Sequence, residues 1–333
     1  MVYIDKMERA VVTFIDILGF KNLVENKSEN EMSEILSLFH KYNTENPLDK
    51  YTSDNCISTE KLALNIKTIF FSDSVVRIRY ASDWEKGVLS DGHYMCMLEK
   101  ELLVLADIQS DLLKKGILIR GGTTIGDILY DEGTNQLFGK AMNRAYELES
   151  NIANYPRIVI DPTFTNVYSR SIDLIESPIY IDSEMLFSVD YFNEREAKLL
   201  LWDLKRWPEK RQEIFQRIKS SIISQKKLLE EYRKAIIELL LQSTRDMRIN
   251  QVDSPAEHLF KVQDIKIFGK HAWIVNRFNA AIDNWEKVRG VVGDNSVFVG
   301  KIFLRDCEWT DPQFPMDENS FSNYLKIYEV EDL

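Results

Sequence analysis

The first 165 residues alternate between two hydrophobic periods in one order, and that order limits the fold more than any other feature of the chain. "VVTFIDI" (Val11 to Ile17) is an apolar, β-branched run that predicts a buried strand. Residues 29–43 place Met32, Ile35, Leu36 and Phe39 at helical spacing and predict an amphipathic helix. After a polar loop over 44–60, "NIKTIFFSDSVVRIRY" (Asn65 to Tyr80) predicts two short strands hinged at Ser72-Asp73. Residues 94–115 predict a long helix that stops at Lys114-Lys115-Gly116, a basic last turn followed by glycine. "ILIRGGTTIGDIL" predicts a glycine-broken strand, "NQLFGKAMNRAYELESN" a loop feeding a helix, and "RIVIDP" a strand closed by Pro162. Strand, helix, strand, strand, helix, strand is the ferredoxin-like order: an α+β unit with an antiparallel sheet and helices on one face.

The remainder changes character. "IYIDSEMLFSVDYF" predicts a hairpin, "WPEKRQEIFQRIKSSIISQKKLLEEYRKAIIELLLQ" one long helix, and "KHAWIVNRFNAAIDNW" a further amphipathic helix. Without a repeat or a glycine-rich linker, this helical extension is expected to pack on the first part. The expected division is a catalytic domain over 1–195 and a helical extension over 196–333.

Two aspartates stand out. Asp16 ends the first apolar run, and Asp73 sits at the hinge of two others ("FFSDSVV"). A carboxylate at the end of a buried strand is costly unless compensated. An aspartate there often caps a helix or makes a turn. If the first strand lies beside the hairpin, both carboxylates project at one end of the sheet. Paired hard oxygen ligands suit Mg²⁺ or Mn²⁺, and two such ions can clamp nucleotide phosphates and activate a hydroxyl. Backbone N–H groups of the Gly19-Phe20-Lys21 turn are then placed for phosphate oxygens.

Composition narrows the alternatives. A net charge of −11 argues against wholesale nucleic-acid binding. No apolar run approaches the roughly 20 residues of a membrane helix, and no signal peptide pattern opens the chain. Cys56, Cys96 and Cys307 are too far apart for a metal knuckle and fit a reducing cytoplasm. His40, His93, His258 and His271 form no ligand cluster. "VRIRY" alternates as a strand does, and its arginines read as solvated charge.

Four segments in order, "FIDILGF", "FSDSVV", "IRGGTTIGDIL" and "NQLFGKAMNRAYELES", resemble the class III nucleotidyl cyclases over about residues 10–165. With "YPRIVID", the series is most similar to the stand-alone bacterial pyrimidine cyclases of the Pycsar anti-phage systems. That resemblance implies a cyclase making cyclic UMP or cyclic CMP from the nucleoside triphosphate, with a product that acts on a separate effector. It also implies two Mn²⁺ or Mg²⁺ ions on Asp16 and Asp73, with the Ile17 carbonyl as a further ligand. Gly19, Phe20 and Lys21 would bind triphosphate, and Ser72 phosphate or ribose. Gln136 would read the base and Asn143 touch the ribose, both from the partner in a head-to-tail homodimer. Lys67 falls near the other base-reading position, at a longer spacing to Asp73 than the pattern has.

One position departs from the family. Purine cyclases have an arginine four residues after the asparagine to stabilise transition-state phosphate, and here it is Glu147, which would repel that charge. Arg144, one turn earlier, is the first replacement candidate, with Arg157 and Arg120 behind it. Arg120 can instead form a salt bridge, with Glu147 as the expected partner. Glu147 also leaves open a catalytically impaired, nucleotide-binding protein; an adenylate or guanylate cyclase is the other alternative. The loop of diguanylate cyclases, GG[DE]EF, is missing.

Overall fold

The computed structural model describes residues 7–44, 64–81, 91–131, 133–134, 136–164, 177–182, 184–252 and 262–303. Cys56, Cys307 and His258, and the expected loop over 44–60 beyond residue 44, lie outside the described residues. β1 spans Glu8–Ile17, followed by a short α1 (Phe20–Asn26) and α2 (Glu29–Thr44). β2 (Leu64–Phe71) and β3 (Ser74–Ala81) form a hairpin, and α3 (Asp91–Lys114) leads to β4 (Ile119–Asp131). Then come β5 (Gln136–Phe138), α4 (Lys140–Asn151), β6 (Ile158–Ile160), and the hairpin of β7 (Ile179–Ile181) and β8 (Phe187–Val189). Among the described residues three further helices follow: α5 (Glu194–Arg206), α6 (Arg211–Val252) and α7 (Val262–Val291).

The sheet runs β2-β3-β1-β4-β6-β8-β7, with β5 attached to β4. Among the described residues only the β4–β6 pair is parallel. The four strands β2-β3-β1-β4 are the ferredoxin-like core, and the alternation of side chains along β1 builds its two faces. Val11, Ile15 and Ile17 join Ile35 and Phe39 of α2 and Leu98, Leu102 and Leu105 of α3. Ala10, Val12 and Phe14 point the other way, onto Ala141 and Ala145 of α4. Each fully buried Ile or Leu contributes about 1.5–3 kcal/mol. The two helices of the ferredoxin-like unit share one face as expected, and α4 covers the opposite one.

α3 ends as its sequence signature requires. Gly116 takes φ 72°, while Gly116 N–H donates to the Leu113 carbonyl and Ile117 N–H to that of Leu112.

The arginines of "VRIRY" are a correction. Arg77 and Arg79 are buried on the α3 face, not solvated. Arg77 Nε donates to Glu101 at 2.7 Å and Arg79 Nη2 donates to the same carboxylate at 2.7 Å. The strand alternates as its sequence predicts, but this face meets a helix that supplies the counter-charge.

The helical extension packs on the first part. Its cluster (Phe192, Ile218, Tyr232, Phe278, Trp285) includes Leu113 and Leu118 from around the α3–β4 turn. The Tyr232 hydroxyl donates to Ser110 Oγ on α3 at 2.6 Å. A 3-10 turn at Pro208–Lys210 precedes α6, so the long helix starts after the proline. Among the described residues no helix is long and apolar enough to cross a membrane.

Candidate active site

The site is built where β1, the β2–β3 hairpin and β4 end together. Asp16 lies opposite Ser74 on β3 and opposite Arg120 on β4. By the parity of β1 its side chain stands on the α4 face with Val12 and Phe14. Asp73 is the second residue of the two-residue hairpin loop, one position before Ser74. The register therefore brings the two aspartates to one rim of the sheet. Ile17 N–H donates to the Asp73 carbonyl at 2.9 Å. Since N–H and C=O of a strand residue point the same way, the Ile17 carbonyl also faces the hairpin tip.

The backbone at this rim is unusual. Ser72 sits at φ 58°, rare for a residue with a β-carbon. Leu18 N–H closes on the Leu118 carbonyl at 2.9 Å, and Gly19 then turns the chain into α1 at φ 73°, ψ 22°. No side chain caps α1, so the first-turn amides are open. Phe20 is half-buried; Ser72, Asp73 and Lys21 are exposed. Lys21 stands 3.8 Å from Glu25.

Arg120 and two groups that the sequence did not single out, Glu149 and Lys270, complete the rim. Arg120 Nε donates to Asp16 Oδ2 at 2.9 Å, and Arg120 Nη2 lies 2.7 Å from Glu149 Oε1 of α4. The latter is a close charge contact without the directionality of a hydrogen bond. Glu149 is buried; burial first, and the neighbouring Asp16 and Asp73 with it, raise its pKa against the pull of Arg120. Lys270 of α7 is half-buried within the same field. Burial and Arg120 lower its pKa, while Asp16 and Glu149 raise it. Glu149 was legible in principle, since it follows Ala141, Ala145 and Leu148 on the buried stripe of α4. Lys270, 254 positions after Asp16, had no local signal.

The expected replacements for the missing arginine are each engaged. Arg144 donates bidentately to Asp161, Nε to Oδ2 and Nη2 to Oδ1, both at 2.9 Å, and lies 3.6 Å from Glu147. Burial alone would raise the Asp161 pKa, but hydrogen bonds from Arg144, the Thr163 amide and Thr124 hold it below the usual range. Arg157 is buried between Asp182 and Glu184. Arg120 forms the salt bridge anticipated for it, with Asp16 and Glu149 rather than with Glu147.

Gln136 and Asn143 are exposed and are not brought to Asp16 within one chain. Gln136 pairs with Asp131, eleven residues along β4 from Arg120, or roughly 35 Å of strand. Asn143 precedes Glu149 by six residues, about 9 Å along α4. Lys67 lies mid-strand in β2, opposite Ile78. His271 is half-buried, and burial followed by Lys270 pushes its pKa down to about 4, so the imidazole is neutral.

Among the described residues no cluster of three or more His, Cys, Asp or Glu side chains could hold a metal. The rim offers a sparser set: two carboxylates and a backbone carbonyl, all hard oxygen donors. Such a set fits Mg²⁺ or Mn²⁺, which keep waters and complete their shells with substrate phosphates. Asp16 Oδ1 accepts no hydrogen bond from the described residues, so a donor atom is available without breaking the Arg120 contact.

No family model matches the chain, and no curated protein matches it. Among solved structures it is similar to the adenylyl cyclase CyaB from P. aeruginosa, at 17% identity and a TM-score of 0.35, covering 55% of this chain and 95% of that one. It is also similar to the catalytic core of a rhodopsin-guanylyl cyclase with converted specificity in complex with ATPalphaS. There the identity is 19% and the TM-score 0.34, over 55% of this chain and 93% of that one.

Proposed function

We propose that the chain is a nucleotidyl cyclase that converts UTP or CTP to the 3′,5′-cyclic monophosphate and pyrophosphate. The observation that carries this reading is the register of β1 with β3, which puts Asp16 and Asp73 at one rim beside the Gly19 turn. Asp16, Asp73 and the Ile17 carbonyl would hold two Mn²⁺ or Mg²⁺ ions. Those ions, when bound, lower the pKa of the ribose 3′-hydroxyl and offset the charge of the phosphates.

The chain's own residues position the rest. The amides of Gly19, Phe20 and Lys21 take phosphate oxygens, and Ser72 contacts phosphate or ribose. In-line attack of the 3′-oxygen on the α-phosphorus expels pyrophosphate; orientation and charge stabilisation supply the rate. Gln136 and Asn143 act from a second copy, which their distance from Asp16 in one chain supports. The reading is therefore a homodimer with composite sites. Gln136 can both donate and accept, which accommodates a pyrimidine edge as well as a purine one. In this proposal residues 1–195 are catalytic and 196–333 are a helical extension, the enzyme is cytoplasmic, and its product is a second messenger for an effector in anti-phage defence.

A second reading is a catalytically impaired nucleotide-binding protein. Glu147 and the commitment of Arg144 to Asp161 favour it. Incubation with each of the four nucleoside triphosphates and Mn²⁺, followed by mass spectrometry, separates the readings. Cyclic UMP or cyclic CMP is expected; cyclic AMP or cyclic GMP alone would reassign the base, and no cyclic product from any substrate would leave only binding.

A further inference from the structure

We infer that Lys270 is a phosphate-contacting residue of this site, a cation that α7 contributes from the helical extension of the same chain. The inference rests on the cyclase reading for the identity of the anion, but not for its binding.

α7 approaches the rim through Trp273. Trp273 stacks on Tyr155 with ring centroids 5.7 Å apart and planes 3° from parallel. Phe268 belongs to the cluster against which Leu18, two residues after Asp16, is packed. Tyr155 follows α4, and Arg120 Nη1 reaches the Ala153 carbonyl in the same segment at 3.5 Å. Residues 149–155 thus hold both Arg120 and α7. On a helix, positions 266, 270 and 273 share one face. Trp273 shows that this face meets the rim, so Lys270 looks toward Arg120, Asp16 and Glu149, the groups whose charges act on it.

Its state is what asks for a ligand. Lys270 is half-buried yet makes no ion pair within 4 Å among the described residues. Arg120, Arg144 and Arg157 are all held by carboxylates of their own chain. A partly desolvated ammonium with no carboxylate in contact is costly alone and well suited to an incoming polyanion. Divalent ions on Asp16 and Asp73 would leave it facing phosphate, where Glu147 offers only repulsion.

The test uses the full chain and inorganic tripolyphosphate in EDTA at low salt, with affinity read by calorimetry. Lys270→Ala and Lys270→Met, the latter keeping the aliphatic stem, are expected to weaken binding roughly 10-fold or more, and Lys270→Arg to retain most of it. Lys287→Ala removes the same charge from the same helix and is expected to bind as wild type. Melting temperature is recorded for each variant. With nucleotide and Mn²⁺, the Ala and Met variants should lower kcat/KM, with partial recovery in Lys270→Arg. Undetectable binding to wild type would overturn the assignment. So would a Met variant that melts and binds like wild type, or equal weakening in Lys270→Ala and Lys287→Ala. If wild type binds tripolyphosphate, with that dependence on Lys270, but cyclises no nucleotide, the cyclase reading fails and the anion site stands.

Discussion

Gly122→Ala tests how the rim is held. Gly122 lies on β4 opposite Phe14, directly beneath α4. A methyl group built there would meet Leu148 Cβ at 2.4 Å, the Ala145 carbonyl oxygen at 2.6 Å and the Glu149 amide nitrogen at 3.0 Å. Two of these atoms are backbone and cannot rotate away. Restoring an ordinary contact of 3.4 Å to Leu148 moves α4 outward by about 1 Å. Overpacking of this kind costs about 1–3 kcal/mol, and a backbone obstacle places it at the upper end. The melting temperature should fall by roughly 5 °C in calorimetry or thermal circular dichroism. Because α4 carries Glu149 and Asn143, turnover should fall roughly 10²-fold, the cost of about 1 Å of misplacement. Gly126→Ala is the milder comparison, since its added carbon would meet only Ala141, at 3.2 Å. A Gly122→Ala protein that melts and turns over like wild type would refute the packing of α4 on β4.

Three further outcomes are expected. Glu101→Gln should lower stability by about 3–5 kcal/mol in denaturant titration, because Arg77 and Arg79 are left buried without a counter-charge; an unchanged midpoint would contradict their burial. Asp190 is pushed up to about 6 from 3.8, by burial first and then by Glu194. A folded pKa above the unfolded one means its stabilisation is present below about pH 4 and lost as pH rises to about 6, at most about 3 kcal/mol. Asp190→Asn should therefore gain stability relative to wild type across that window, and a pH-independent difference would remove the argument. Removal of divalent ions with EDTA should stop pyrophosphate release, and Mn²⁺ should restore it; release that persists in EDTA would rule out the metal reading.

What could be read in the sequence were the features fixed by local chemistry. The apolar period of β1, the Ser72-Asp73 hinge and the Lys114-Lys115-Gly116 stop each produce the expected element, because strand alternation, tight turns and helix ends depend on neighbouring residues. Tertiary partners were harder. Arg77 and Arg79 alternate like a solvent face, and only Glu101 on a distant helix makes that face an interior. The same holds for the rim. Asp16 and Asp73 were visible as carboxylates inside apolar runs, but their guard of Arg120 and Glu149 depends on the β1–β4 register and on α4 crossing the far face. α1 follows the Gly19 turn as the short helix expected there, and α5 carries a local signal too, with Ala197, Leu200, Leu201 and Leu204 at helical spacing before a basic last turn.

The account depends on two carboxylates that meet at one end of a sheet. Pyrophosphate release from UTP and CTP with Mn²⁺, compared between wild type, Asp16→Ala and Asp73→Ala, tests this most directly. Release in wild type, abolished in both variants with melting temperatures preserved, is the predicted result. Either variant turning over at the wild-type rate would contradict it.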